Sequence, residues 1–309
     1  MIAGAVLRWQ LFLKRKGTNM EFLTTLLNGL SLGGIYAMRA LGYTMVYGIA
    51  KMLNFAHGDI IMVGGYTILL FLSVNPIVAI VASVIFCMLL GIVVEKLAYK
   101  PLRGASPLAV LITAIGVSYL LQNLAQLIFT SNPKMFSGML DFGNISLMNG
   151  ELNIPISTLI MIATSIVIVV GLSLFIKKTK TGRAMVAVSE DKDAARLMGI
   201  NVNKTITITF AIGSALAAIA SFLMFNAYPS LVPTSGSMPG IKAFVAAVFG
   251  GIGSIPGAMI GGIVLGLVEI LGGAYISTQL SNAIVFTILI VALIFKPTGL
   301  FGKKIKEKV

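Results

Sequence analysis

The sequence predicts an all-α fold, a polytopic bundle of transmembrane helices with roughly eight or nine spans, some broken or re-entrant, and a possible internal repeat. Three observations predict it. Of the 309 residues, 57% are hydrophobic and 11% charged, with a mean hydropathy of +0.98, whereas soluble domains carry about 25% charged residues. The apolar residues gather into runs of bilayer-spanning length, about 20 residues each. The basic residues, which give a net charge of +13, lie mostly between those runs and in the tail from Lys303 to Lys308. Positive charge so confined orients helices toward the cytoplasm and anionic lipid, and it forms no groove for nucleic acid.

The elements follow in order. Residues 1–19 hold Arg8, Lys14, Arg15 and Lys16 around a short apolar patch without a signal-peptide cleavage site, so they read as an extension that translation from Met20 would omit. Residues 20–302 form the membrane domain. Phe22 to Ala50 is apolar except for Arg39 and contains Gly29-x-x-x-Gly33, a spacing that permits close helix packing. A polar interruption, Asn54-Phe-Ala-His-Gly-Asp59, precedes the apolar run Ile60 to Val74, and Asn75-Pro76 turns the chain into Ile77 to Val94.

Lys96, Lys100 and Arg103 mark a cytoplasmic loop. Pro107 to Thr130 crosses outward, Ser131 to Pro155 is an outer segment with Lys134 its single base, and Ile156 to Ile176 returns to a charged loop, 177–204. Thr205 to Asn226 crosses outward again, and Ala227 to Gly240 is an outer loop with three prolines. Ala243 to Val268 is interrupted by Gly250-Gly-Ile-Gly-Ser-Ile-Pro-Gly257. Because the tail, 303–309, is basic and therefore inside, Ile241 to Leu271 must begin and end outside, as two short crossings or a re-entrant pair, before Gln279 to Phe295 crosses inward. The interruptions at Asn54–Asp59 and Gly250–Gly257 fall in opposite halves of the chain. Broken backbone inside a bilayer is tolerated where it is buried or lines a cavity, so the pair points to internal repeats with a transport path between them.

Enzymatic chemistry finds little support. The chain has one His and one Cys and no phosphate-binding G-x-x-x-x-G-K-[ST] loop, so no catalytic residue, metal site or cofactor is expected, and nucleotide energy must come from another chain. His57, between Asn54 and Asp59, reads either as part of a capped helix start or as a polar turn beside the path, where free amides would meet a carboxylate. Glu95 and Glu269 read as interfacial residues at span ends. Arg39, inside a span, costs roughly 2.5 to 3.5 kcal/mol to insert. It is expected to face protein interior, with Asp59 or Glu269 as candidate partners.

The charged island Ser189 to Asn201, reading S-E-D-K-D-A-A-R-L-M-G-I-N, contains Asp193-Ala194-Ala195 followed by Gly199. It resembles the E-A-A-x-x-x-G loop of ABC importer permeases, with Asp in place of Glu. Asp191 and Asp193 favour a helix start, and Gly199 a stop. The passages Ala40 to Gly48 with Asn54 to Asp59, Tyr99-Lys-Pro-Leu-Arg103, Leu197-Met-Gly-Ile-Asn201, Gly250 to Gly262 and Lys296-Pro-Thr-Gly299 are together similar to the LivH-type permease subunits of branched-chain amino acid ABC importers, over Met20 to about Gly302. The resemblance implies a bacterial inner or plasma membrane permease that pairs with a second homologous permease, two cytoplasmic ATPases and an extracytoplasmic substrate-binding protein, within membrane lipid. It implies ATPase coupling through Glu190, Asp191, Asp193, Ala194, Ala195, Arg196 and Gly199. A translocation path is expected near Asn54, His57, Gly58, Asp59, Gly250, Gly251 and Gly253. Leucine, isoleucine and valine are the implied cargo, with urea or short amides carried by related permeases. An ion-coupled secondary transporter using Glu95, Glu269 or Asp59 is the competing reading.

Overall fold

The structure is a computed structural model describing residues 2–136, 143–147 and 152–302, with residues 2–20, 147, 152 and 153 described by backbone alone. The expected extension and the start at Met20 fall on residues whose side chains lie outside this description, as does the tail 303–309. The first helix, α1 (Ile2–Ala50), runs without a break to Lys51, whose φ of 59° ends it. The chain then re-enters the bundle through 51–56 and begins α2 (His57–Phe71). Asn75 caps α3 (Pro76–Val94) by accepting from the Ile77 N–H, with Pro76 at the first helical position, where its missing N–H costs nothing. A π-helical turn, Glu95–Tyr99, and a 3₁₀ turn, Lys100–Leu102, finish this span.

Ser106 caps α4 (Pro107–Phe129). The outer segment contributes β1 (Lys134–Met135), β2 (Asn144–Leu147) and β3 (Leu152–Pro155), the last two paired antiparallel. Then follow α5 (Ile156–Lys178), α6 (Lys180–Glu190), α7 (Lys192–Leu197) and α8 (Val202–Ala227). A short strand, β4 (Ser230–Leu231), pairs with β1, and α9 (Ser237–Gly250), α10 (Ile255–Tyr275) and α11 (Ser281–Phe295) complete the bundle. Among the described residues, five helical stretches are long and apolar enough to cross a membrane by themselves: Pro76–Leu102, α4, α5, α8 and α10. By contrast α2, α9 and α11 are shorter apolar helices.

Helices α1 and α8 form the centre. The apolar window of α8 is 72% buried against 22% for α4, so α4 stands at the rim. The Gly29-x-x-x-Gly33 spacing does what it permits: a Cβ on Gly33 would sit 2.8 Å from the Ile263 Cα, and Gly262 and Gly266 of α10 press on the backbone of Ala37 and Gly33 in turn. Two glycine ladders thus bring α1 and α10 into backbone contact, the arrangement that close-packed membrane helices favour.

The second interruption is where the sequence places it. Gly251 (φ 107°) and Gly253 (φ 89°) turn α9 into α10, and residues 228–236 lead back from the outer ends of the bundle to the start of α9. The stretch therefore goes in with α9 and out with α10. Both α2 and α9 start within the bundle, one against the other, and run to opposite faces. Along α2, Tyr66 stacks at 4.2 Å on Phe129, the last residue of α4, and the turn after α9 reaches Gly48, near the end of α1, through Gly253.

Candidate functional site

The starts of α2 and α9 meet at half depth. Asp59, the third residue of α2, accepts hydrogen bonds from Ser118, the midpoint of α4, and from Gln122 Nε2 at 2.9 Å, while Gln122 Nε2 also reaches Ser237 Oγ, at the start of α9, at 3.1 Å. Beside this bridge the two starts touch through glycine backbone, Gly58 against Gly236 and Gly240. An acid that is 1% exposed is thus stabilised by a hydroxyl and an amide at the positive end of its own helix.

The capping reading of this turn is corrected. The residue before α2 is Ala56 and no side chain caps the helix. Asn54 accepts from the buried Tyr99 hydroxyl at 2.8 Å, and Asp59 faces α4. His57 is 1% exposed, its ring meets Tyr43 edge-on at 6.2 Å, and its Nε2 has no hydrogen-bond partner. It fits because position 42 is glycine, since a Cβ there would lie 2.7 Å from that nitrogen.

Of the expected path residues, the structure brings Asn54, His57, Gly58 and Asp59 together and places Gly250, Gly251 and Gly253 elsewhere. Those glycines lie at the far end of α9, where Gly250 packs on Gly257 and Gly251 on Gly299 and Gly302. There the Leu300 and Phe301 N–H groups donate to the Phe249 and Gly250 carbonyls, satisfying the end of α9.

Both carboxylates read as interfacial at span ends pair with a cation of the protein. Glu95 is fully buried in the π-helical turn, ion-paired to Arg103 and accepting from Thr207 at 2.8 Å. Glu269 lies within α10, where it takes the Lys242 ammonium at 2.6 Å and the Tyr36 hydroxyl at 2.8 Å. Arg39 is 2% exposed and faces protein, as expected, but among the described residues it forms no ion pair with either predicted partner, and Glu269 acts on it only through space. Its guanidinium lies 5.5 Å from the Tyr36 ring, and its Nε is unbonded. The reason is that Lys242 reaches Glu269 first, and Asp59 is occupied by α4. Sequence reading missed Lys242 as a partner, although a lysine in an apolar run was the available signal. Ser118, Gln122 and Ser237 gave none, being ordinary polar residues until the fold collects them.

The charged island forms α6 and α7, at the end of the bundle where α5 stops and α8 starts. Asp191 caps α7, accepting from the Asp193 and Ala194 N–H groups at 2.9 and 3.0 Å. The helix stops at Gly199 (φ 79°), with the Ile200 N–H returning to the Ala195 carbonyl at 3.0 Å, a glycine-terminated end. The two alanines divide: Ala194 faces out, whereas Ala195 is 3% exposed and joins the core of Val202 and Ile206. Outward stand Arg196, Leu197 and Met198, the last two 89% and 82% exposed. Lys192, the first residue of α7, donates to the last carbonyl of α1, at Ala50, at 3.0 Å. Burial and the neighbouring Arg103, Lys51 and Arg196 lower its pKa.

Comparison with known proteins fits this arrangement. A family model described as branched-chain amino acid transport system / permease component matches residues 25–293. The high-affinity branched-chain amino acid transport system permease protein BraD of Pseudomonas aeruginosa is 43% identical over 304 residues, covering 94% of this chain and 98% of that protein. The corresponding protein LivH of Escherichia coli K12 is 39% identical over 305 residues, with the same coverage. A probable branched-chain amino acid transport permease protein LivH of Methanocaldococcus jannaschii is 29% identical over 296 residues, 88% of this chain and 91% of its own. With its glycine-packed bundle of membrane helices and a match over most of its length, the chain is a multi-pass membrane protein and belongs to the family of branched-chain amino acid transport system permease components.

Proposed function

We propose that this chain is a permease subunit of an ATP-binding cassette importer, forming with a second homologous permease the path by which leucine, isoleucine and valine cross the membrane inward. Two cytoplasmic ATPases drive it, an extracytoplasmic binding protein delivers the cargo, and the chain itself catalyses nothing. The observation that carries this reading is α7: a short, well-capped helix on the cytoplasmic face with Leu197 and Met198 exposed to solvent. Apolar side chains held out this way on a charged loop suit insertion into a groove on another protein.

In this reading Glu190, Asp191, Asp193, Ala194, Arg196 and Gly199 shape and border the docking helix, and Ala195 seats it on the bundle. Asn54, His57, Gly58 and Asp59 border the path where α2 and α9 meet, and Gly250, Gly251 and Gly253 form the cytoplasmic turn that lets α9 shift against α10.

The test is Leu197→Asp with Met198→Asp in the assembled importer in proteoliposomes. Losing two apolar anchors should cut ATP-driven leucine uptake by about tenfold or more, while the permease stays inserted and monodisperse. Wild-type uptake in that variant would remove the docking assignment. Uptake of urea in preference to leucine by the unmodified importer would remove the cargo assignment alone.

A further inference from the structure

Between α7 and the end of α1 lies a cavity of about 450 Å³ whose walls carry Lys51, Arg103, Lys192 and Arg196. Among the described residues, two acids form ion pairs with these four cations. Glu95 pairs with Arg103, and Asp193 with Arg196 at 3.1 Å; the latter pair is exposed, so it neutralises little. Among the described residues no acid pairs with Lys51 or Lys192. Helices α4 and α8 both begin at this cavity, with Pro107 and Val202 in its wall, so the positive ends of two helix dipoles add to the field. Burial, and then the neighbouring Arg103, Lys51 and Arg196, push the Lys192 ammonium toward its neutral form against a smaller opposing pull from Asp193. Lys51 itself holds a left-handed backbone (φ 59°) without being glycine, a conformation that such residues adopt at a cost. Deeper in, the lining turns apolar with Val110 and Ile206.

We propose that this cavity binds a phosphate group, carried by an anionic phospholipid or free as inorganic phosphate, between Lys51, Lys192 and Arg103. A cationic mouth at the membrane surface over an apolar floor matches the junction of headgroup and acyl chain. Bound phosphate joins Lys192, at the start of α7, to Lys51, at the end of α1, and relieves their repulsion, so its occupancy sets how firmly α7 is held.

The experiment is native mass spectrometry of the full chain in detergent, titrated with phosphatidylglycerol, with phosphatidylcholine and with inorganic phosphate. The proposal expects phosphatidylglycerol to be retained over phosphatidylcholine and its binding to weaken by about tenfold or more in Lys51→Gln/Lys192→Gln. Lys178→Gln/Lys180→Gln, which removes the same charge elsewhere on the cytoplasmic face, should bind like wild type, and Lys51→Arg/Lys192→Arg should retain the lipid. Lys51→Gln alone, at an exposed side chain, serves if the double variant misfolds, and should also weaken binding. Displacement of the lipid by millimolar inorganic phosphate assigns the site to the free anion, and resistance to it assigns the site to the lipid. Unchanged binding in the Lys51 and Lys192 variants, or an equal loss in the Lys178/Lys180 variant, would overturn the proposal. It does not depend on the importer reading, because no ATPase or cargo enters the measurement.

Discussion

Gly58→Ala probes the joint between α2 and α9 with one methyl group. That methyl would lie 2.7 Å from the Gly240 Cα and 3.0 Å from the Gly240 N, and nearer still to the Gly236 carbonyl oxygen. Carbon atoms settle at about 3.5 to 4.0 Å, so the shortfall is about 1 Å. Backbone cannot rotate aside as a side chain can, and the two helix starts must separate. Gln122 spans both, at 2.9 Å to Asp59 and 3.1 Å to Ser237, and a separation of that size takes one bond past its range of about 3.5 Å. Overpacking costs about 1–3 kcal/mol and the lost bond about 1 kcal/mol. At about 2–4 °C per kcal/mol, melting should fall by roughly 5–15 °C. The assay is thermal unfolding of the purified chain in detergent, beside Gly116→Ala, whose new methyl meets nothing within 4 Å and which should melt at or slightly above wild type. If the two variants melt together, the backbone contact at Gly58 is not what holds the joint.

Arg39→Leu should keep leucine uptake and melt no lower than wild type, because the arginine is buried without an acid partner and an apolar residue of similar volume avoids its desolvation; loss of uptake in a properly inserted variant would show that the guanidinium acts in transport. Glu269→Ala strands the Lys242 ammonium and should destabilise the protein by about 3–5 kcal/mol, whereas Lys242→Met/Glu269→Leu should recover most of that in the same melting assay. Ala195→Arg, at a side chain 3% exposed against the bundle, should unseat α7 and raise its sensitivity to limited proteolysis; wild-type protection would place Ala195 at the surface. Lys192 gives a pH signature. Its folded pKa is lowered, so between that value and the unfolded lysine value of about 10.4 the unfolded chain binds more protons. The stability of wild type relative to Lys192→Gln should therefore rise with pH through that alkaline window and level off above it, and a flat difference would contradict the burial and crowding of the ammonium.

Much of the fold was legible because a bilayer imposes lengths and charge placement that composition records directly. Phe22 to Ala50, Pro107 to Thr130 and Thr205 to Asn226 lie where helices form, and the stop at Gly199 and the cap at Asp191 follow from local chemistry that acts within a few residues. What escaped depends on pairs far apart in the chain. Nothing near Glu269 announces Lys242, and nothing near Asp59 announces Gln122. That Ala194 faces out and Ala195 in depends on how α7 is rotated against α8, which no local pattern encodes in a six-residue helix. The glycines at 250–257 marked a break correctly, but a break says nothing about depth, and these lie at the far end of α9 rather than beside His57.

The bond from Lys192 to the Ala50 carbonyl has a mechanical consequence. Through it, a displacement of α7 arrives as an axial load on α1. Because α1 and α10 interlock through Gly33, Gly262 and Gly266 with backbone against backbone, they form one stiff strut that carries load with little bending. Deformation then collects in the compliant parts beside the strut, the non-helical segments 51–56 and 228–236 that feed α2 and α9. On the docking role proposed for α7, a force applied there would be delivered to the level where those two short helices meet.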